Sequence, residues 1–128
     1  MTTTPEAYVH LSTDETTLTF YYDTLRADRD GTTWGIRNTE DDYDWTANWG
    51  SPNTTVLTAV FDASFRDFRP TTTAGWFYEL HLLESIEGLE YLNTSQVKDM
   101  KGMFFGCESL SALDLSSFDT SNVASMSM

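Results

Sequence analysis

The chain has one cysteine, Cys107, in 128 residues, so no internal disulfide can form and a disulfide framework is excluded. Basic residues are scarce: 7 Lys and Arg stand against 20 Asp and Glu, for a formal charge of −13. Such a chain repels phosphate backbones and anionic lipid, which argues against nucleic-acid binding. It has no apolar run of the roughly 18 residues that a membrane-spanning helix needs. The opening Met1-Thr2-Thr3-Thr4-Pro5-Glu6 has neither the basic stretch nor the apolar stretch of a signal peptide. His10 lies in a strand stretch with no partner at ligand spacing and reads as a surface residue, not a metal ligand.

Hydrophobic residues make up 40% of the chain, enough for one core in a single domain of this length. The aromatics crowd the first 78 residues, where all four tryptophans lie. Three short strands are expected there. Tyr8 to Leu11 form the first. Thr17 to Tyr22 alternate, with Leu18, Phe20 and Tyr22 on one face and Thr17, Thr19 and Tyr21 on the other. Thr32 to Ile36 place Trp34 and Ile36 on one face. The polar runs Ser12–Thr16 and Asp28–Gly31 supply turns, because Asp and Gly tolerate the backbone angles a turn requires.

The second half repeats itself. Gly75-Trp76-Phe77-Tyr78 returns as Gly102-Met103-Phe104-Phe105, 27 residues later, and Asn93-Thr94-Ser95 to Met100 returns as Asp119-Thr120-Ser121 to Met126, 26 later. A period of this size is the mark of a solenoid. Val97, Met100 and Phe104 fall at i, i+3 and i+7, one face of a short helix that Asn93 and Gln96 would cap. Leu113 and Leu115, two apart, suit a strand with both side chains inward. Gly75 and Gly102 occupy one repeat position, where the backbone turns tightly or packs closely.

The string Met103-Phe104-Phe105-Gly106-Cys107-Glu108-Ser109-Leu110, followed by Leu113-Asp114-Leu115-Ser116-Ser117-Phe118-Asp119-Thr120-Ser121-Asn122-Val123, resembles the repeat of BspA-like leucine-rich-repeat proteins of bacterial surfaces. The likeness is specific across residues 93–126 and looser across 57–92, where Leu80 stands in place of the cysteine and Gly88-Leu89 departs from the later repeat. It implies an extracellular or cell-surface protein that adheres to host or other cells, and it transfers no catalytic residue.

The expected fold is therefore α+β. An N-terminal antiparallel β cap covers residues 1–56, and a short leucine-rich-repeat-like solenoid covers 57–128, with one short strand and one short helix per repeat and the last repeat incomplete. Its inward set is Phe77, Leu83, Ile86, Val97, Met100, Phe104, Cys107, Leu110, Leu113, Leu115 and Phe118. The expected function is a non-enzymatic adhesion or scaffold module that meets a protein or glycan on another cell through its repeat surfaces.

The alternative is a carbohydrate-binding module built on the aromatic and acidic segment Asp42, Tyr43, Asp44, Trp45 and Trp49, with Tyr21 as a further stacking candidate. Aromatic rings beside carboxylates suit sugar stacking, yet the same rings also suit packing of the cap. Glu40, Asp41, Asp42 and Asp44 lack the glycine and distal glutamate of a calcium loop and read as a solvated acidic stretch. Cys107 reads as a small buried hydrophobe. His81, one repeat before Glu108, stands near it, but no third orienting residue or oxyanion motif accompanies the pair. No catalytic residue, cofactor or metal is expected. Val123, Met126 and Met128 leave the final coil apolar, so self-association through that coil, or fraying after about residue 119, is expected.

Overall fold

The structure is a computed structural model that describes residues 4–36, 55–110 and 118. Its centre is a five-stranded mixed sheet. The strands are β1 (Glu6–Leu11), β2 (Thr17–Asp23), β3 (Thr32–Gly35), β4 (Thr58–Phe61) and β5 (Ser85–Glu87), in the spatial order β3-β1-β2-β4-β5. β1 pairs antiparallel with both β2 and β3, whereas β2 with β4 and β4 with β5 are parallel. The sheet draws β1, β2 and β3 from before residue 56, the expected domain boundary, and β4 and β5 from after it.

β1, β2 and β3 lie where the alternation places them. The turn between β1 and β2 is held by Asp14, whose carboxylate accepts from the Ser12 hydroxyl and from the backbone N–H and hydroxyl of Thr16. These donors hold Asp14 below the usual carboxylate range. Val9, Leu11, Leu18, Phe20, Ala59 and Phe61 point to the core face and are buried. The opposite face carries Tyr8, His10, Thr17, Thr19 and Tyr21.

Phe20 is the hub of the core. Its ring lies 4.5 Å from Phe61, 5.3 Å from Trp76, 5.6 Å from Phe77 and 5.7 Å from Phe65, centroid to centroid. Offset-stacked and edge-on pairs of this kind add to simple area burial. The hub joins the two halves of the chain, because Phe20 comes from the hairpin and its four neighbours come from beyond residue 60.

The expected α+β solenoid with a helix in each repeat is overturned. Among the described residues there is no α-helix, only three short 3-10 turns at Arg26–Asp28, Ala63–Asp67 and Leu89–Tyr91. Residues 97–104, expected as a helix, are irregular chain and hydrogen-bonded turns, and Asp99 forms a parallel bridge to Thr72.

The physical reason is where the backbone donors go. The N–H groups of Thr73, Gly75, Phe77 and Glu79 reach sideways to the carbonyls of Asp99, Lys101, Met103 and Phe105. Those of Trp76, Tyr78 and Leu80 fold back three residues, to Thr73, Gly75 and Phe77. The later segment repeats the backward set, with Met103, Phe105 and Cys107 donating to Met100, Gly102 and Phe104. No run of i→i−4 bonds remains for a helix. Left-handed residues break the path as well: Gly75 and Gly102 have φ of 68° and 65°, and Glu79 and Gly106 have 58° and 81°. The three-residue spacing of Val97 and Met100 therefore reflects successive turns and not a helical face, although both side chains are fully buried.

The rest of the expected inward set divides. Phe77 and Leu83 are fully buried. Ile86, Phe104, Cys107 and Phe118 are half-buried and pack against the core. Leu110 is half-buried. Leu113 and Leu115 lie outside the described residues, as do Val123, Met126 and Met128, invoked for self-association. Asn93 does cap, but it caps a turn: its Oδ1 accepts from the Ser95 N–H at 3.0 Å and the Ser95 hydroxyl at 2.7 Å.

Two stability outcomes follow from these contacts. Phe20→Ala removes the shared ring and should cost about 3–5 kcal/mol, against about 1–2 for Tyr22→Ala at the core margin; urea unfolding of both variants measures the difference. Glu79 takes a left-handed backbone in the position that Gly106 holds one repeat later. Glu79→Gly should therefore stabilise by about 0.5–1 kcal/mol. Gly106→Ala should destabilise by about 1–2 kcal/mol, since its Cβ would sit 3.0 Å from the Glu79 Cα. Equal effects of the two changes would contradict the left-handed assignment.

Candidate binding surface

The sideways pairing of the two segments stacks their side chains. Phe77 lies over Phe104 at 5.6 Å with 9° between planes, on the core side. Tyr78 lies over Phe105 at 5.4 Å and 14°, on the outside. Phe105 keeps 50% of its surface exposed, and Leu82 keeps 43%. The outward pair is a small aromatic ledge offered to solvent. Glu79, Glu84 and Glu108 bring negative charge to the same stretch of chain. Phe105 and Leu82 are large apolar groups that a monomer has reason to cover, and such groups mark contact surfaces more often than exposed polar ones do.

Beside this ledge, Cys107 donates its Sγ hydrogen to the Phe77 carbonyl oxygen at 3.1 Å. Burial pushes its pKa up to about 11, so the thiol stays protonated at neutral pH. His81 Nδ1 faces the Gly106 carbonyl oxygen at 3.1 Å and the Glu108 carboxylate at 4.0 Å. The histidine ring thus meets one backbone carbonyl and the thiol another.

A second cluster occupies the outer face of the sheet. Arg29 donates from Nε to the Tyr8 hydroxyl at 3.0 Å and from Nη2 to Asp23 Oδ2 at 2.8 Å. Tyr8 in turn donates to Asp23 Oδ1 at 2.6 Å. The guanidinium carbon rests 3.7 Å from the centre of the Tyr21 ring, which also stacks on Tyr8 at 5.4 Å. His10 stands edge-on to Tyr21 and meets the Asp30 carbonyl. Each of the three side chains bonds to both of the others, which suits a latch that closes the loop after β2 over the sheet. Tyr21, a stacking candidate from the sequence, is committed to this latch.

Burial and the hydrogen bond to Asp23 raise the Tyr8 pKa from 10.0 to about 12. Asp23 moves below the usual carboxylate range: burial opposes the shift, but the hydrogen bonds from Tyr8, the Leu25 N–H and Arg29 outweigh it.

Tyr43, Trp45, Trp49, Asp42 and Asp44, the residues of the expected carbohydrate site, lie outside the described residues. The ledge was legible in the repeat as the matched pair Tyr78 and Phe105. Nothing in the local sequence marked the latch, whose members meet only across strands. Among the described residues, no three His, Cys, Asp or Glu side chains gather as metal ligands, and no helix is long and apolar enough to cross a membrane.

Comparison with known proteins places a likeness over the repeated segment. Residues 71–128, a little under half of the chain, are similar to a family described as Mycoplasma protein of unknown function, DUF285. No curated protein and no solved structure matches the chain.

The latch sets a pH dependence. Tyr8 has a raised pKa in the folded state, so its contribution is full below pH 10 and is lost as the pH climbs towards about 12. Asp23 has a lowered one, so its contribution is full above the ordinary carboxylate value and fades as the pH falls below it. Tyr8→Phe should cost about 1 kcal/mol at neutral pH. It should also flatten the alkaline loss relative to the natural chain. Parallel melting curves from pH 8 to about 12 read that difference, and identical alkaline slopes would show that Tyr8 is not the titrating group.

Proposed function

We propose that this chain is a non-enzymatic adhesion or scaffold module of a bacterial cell surface, and that it meets a protein or glycan partner on another cell through its repeated outward side chains. The observation that carries this reading is the Tyr78–Phe105 ledge: two aromatic rings stacked one repeat apart, with Phe105 half exposed. An array of this kind offers several modest contacts, which add when many copies or repeats engage at once. The resemblance of residues 93–126 to the repeats of BspA-like surface proteins supports it, as does the likeness of residues 71–128 to a bacterial family. The acidic balance of −13 keeps such a module dispersed and disfavours nucleic acid and anionic lipid as partners.

The test measures saturable binding of fluorescently labelled chain to cultured epithelial cells, alongside antibody labelling of intact bacteria that express it. Tyr78→Ser with Phe105→Ser should weaken cell binding by about tenfold, roughly 1.4 kcal/mol, without lowering the melting temperature by more than a few degrees. Binding that ignores the double substitution, or antibody that reaches the protein only after lysis, would count against the proposal.

A further inference from the structure

We propose a second site, separate from the aromatic ledge: a shallow hollow of about 240 Å³ between the second and third 3-10 turns that takes one neutral pyranose ring of a saccharide. It is lined by Arg66 and by the run Glu90 to Ser95.

Three local devices build it. Asp62 caps the Ala63–Asp67 turn by accepting from the Ser64 N–H at 3.1 Å, and this turn carries Arg66. Gly88, left-handed at φ 73°, starts the Leu89–Tyr91 turn that carries Glu90 and Tyr91. It lies so close to the Phe61 carbonyl that no side chain fits there. Asn93 is set by the turn it forms with Ser95. The Ser95 N–H requires an acceptor, so Oδ1 points back to the chain and the Nδ2 group is left over.

The chemistry of the lining points to a sugar. Arg66 and Glu90 border the same hollow, both exposed, and neither forms an ion pair or hydrogen bond among the described residues. A cation and an anion that line one hollow without pairing suit a ligand group that accepts from the first and donates to the second. A hydroxyl does both, and a vicinal diol does so on neighbouring oxygens. The planar guanidinium, carboxylate and amide present flat hydrogen-bonding edges, and Tyr91, half-buried against the core, adds apolar aromatic surface at the wall for the C–H groups of a pyranose.

Competing ligands fit less of this lining. A phosphate would find one guanidinium, opposed by Glu90 and by the net charge of −13. A zwitterionic amino acid would satisfy the two charges but leave the amide and phenol unused. The openness of the hollow suits a sugar within or at the end of a glycan, held on one side and bathed in water on the other.

The test uses the full chain, labelled with ¹⁵N. Glucose, galactose, mannose and N-acetylglucosamine are titrated one at a time, with glycine and inorganic phosphate as separate arms, and the Asn93 side-chain amide and the Arg66 Nε–H are followed. At least one sugar should shift both signals saturably, with a Kd of about 1–10 mM. Arg66→Ala and Glu90→Gln, both at exposed positions, should each weaken that sugar at least about fivefold while the melting temperature holds. The proposal is overturned if none of the four sugars moves these signals, if the two substitutions leave the affinity unchanged, or if glycine or phosphate binds where the sugars do not. The Tyr78→Ser, Phe105→Ser variant should bind the same sugar normally, so failure of the ledge and failure of the hollow are told apart.

Discussion

The Phe20 ring is the place where the chain is closed on itself. It belongs to a strand that is antiparallel to one neighbour and parallel to the other, and it touches four aromatic rings that come from a different part of the sequence. The hairpin of β1 and β2 has one polar face and one apolar face, and alone it would leave Val9, Leu11, Leu18 and Phe20 in water. The segment from Thr58 to Phe77 has the complementary need, since Phe61, Phe65, Trp76 and Phe77 require a wall to lie against. Each half supplies the surface the other lacks, so the sheet grows through the hub and does not stop at the end of the hairpin.

Beyond the hub, the backbone divides its hydrogen bonds between two directions. Alternate N–H groups from Thr73 to Glu79 reach the next segment, and the intervening ones close three-residue turns. One set fixes the distance between segments, and the other keeps each segment compact. The same arrangement stacks Phe77 on Phe104 inside and Tyr78 on Phe105 outside. Core and ledge are therefore two faces of one register. A shift of one residue would exchange buried Phe77 for half-exposed Tyr78 and spoil both.

Much of the hairpin was legible because period-two alternation is a local property: Leu18, Phe20 and Tyr22 announce their face without help from the rest of the chain. The 26- to 27-residue repetition is a property of the sequence; in the fold, Thr58 pairs with Ser85 and Thr72 bridges Asp99. The helix was misread because Val97 and Met100, buried three residues apart, look the same in a helix and in consecutive turns. What separates the two is where the N–H groups point, and that depends on a neighbour far along the chain. The parallel union of β2 with β4 was hidden for the same reason. Arg29, Tyr8 and Asp23 resemble ordinary surface residues until the strands bring them together, and Arg66 and Glu90 resemble any solvated charges until two turns place them around one hollow. Trp45 and Trp49, conspicuous in the sequence, lie outside the described residues.

The parallel pairing of β2 with β4 also dictates an order of events in folding. β1 and β2 are joined by a short turn and can find each other early. β4 joins β2 only once a much longer stretch has closed, because Thr17 meets Thr58 after the whole intervening chain has been drawn in, and its other partner, β5, lies further along the chain again. Each such closure spends loop entropy before any contact repays it, and chains dominated by distant pairings fold in milliseconds to seconds rather than microseconds. During that interval β2 presents an unpaired edge beside an uncovered Phe20. The newly made chain is most vulnerable to sticking to its own copies in that window, and the acidic surplus that surrounds the apolar strands supplies the repulsion that keeps those copies apart.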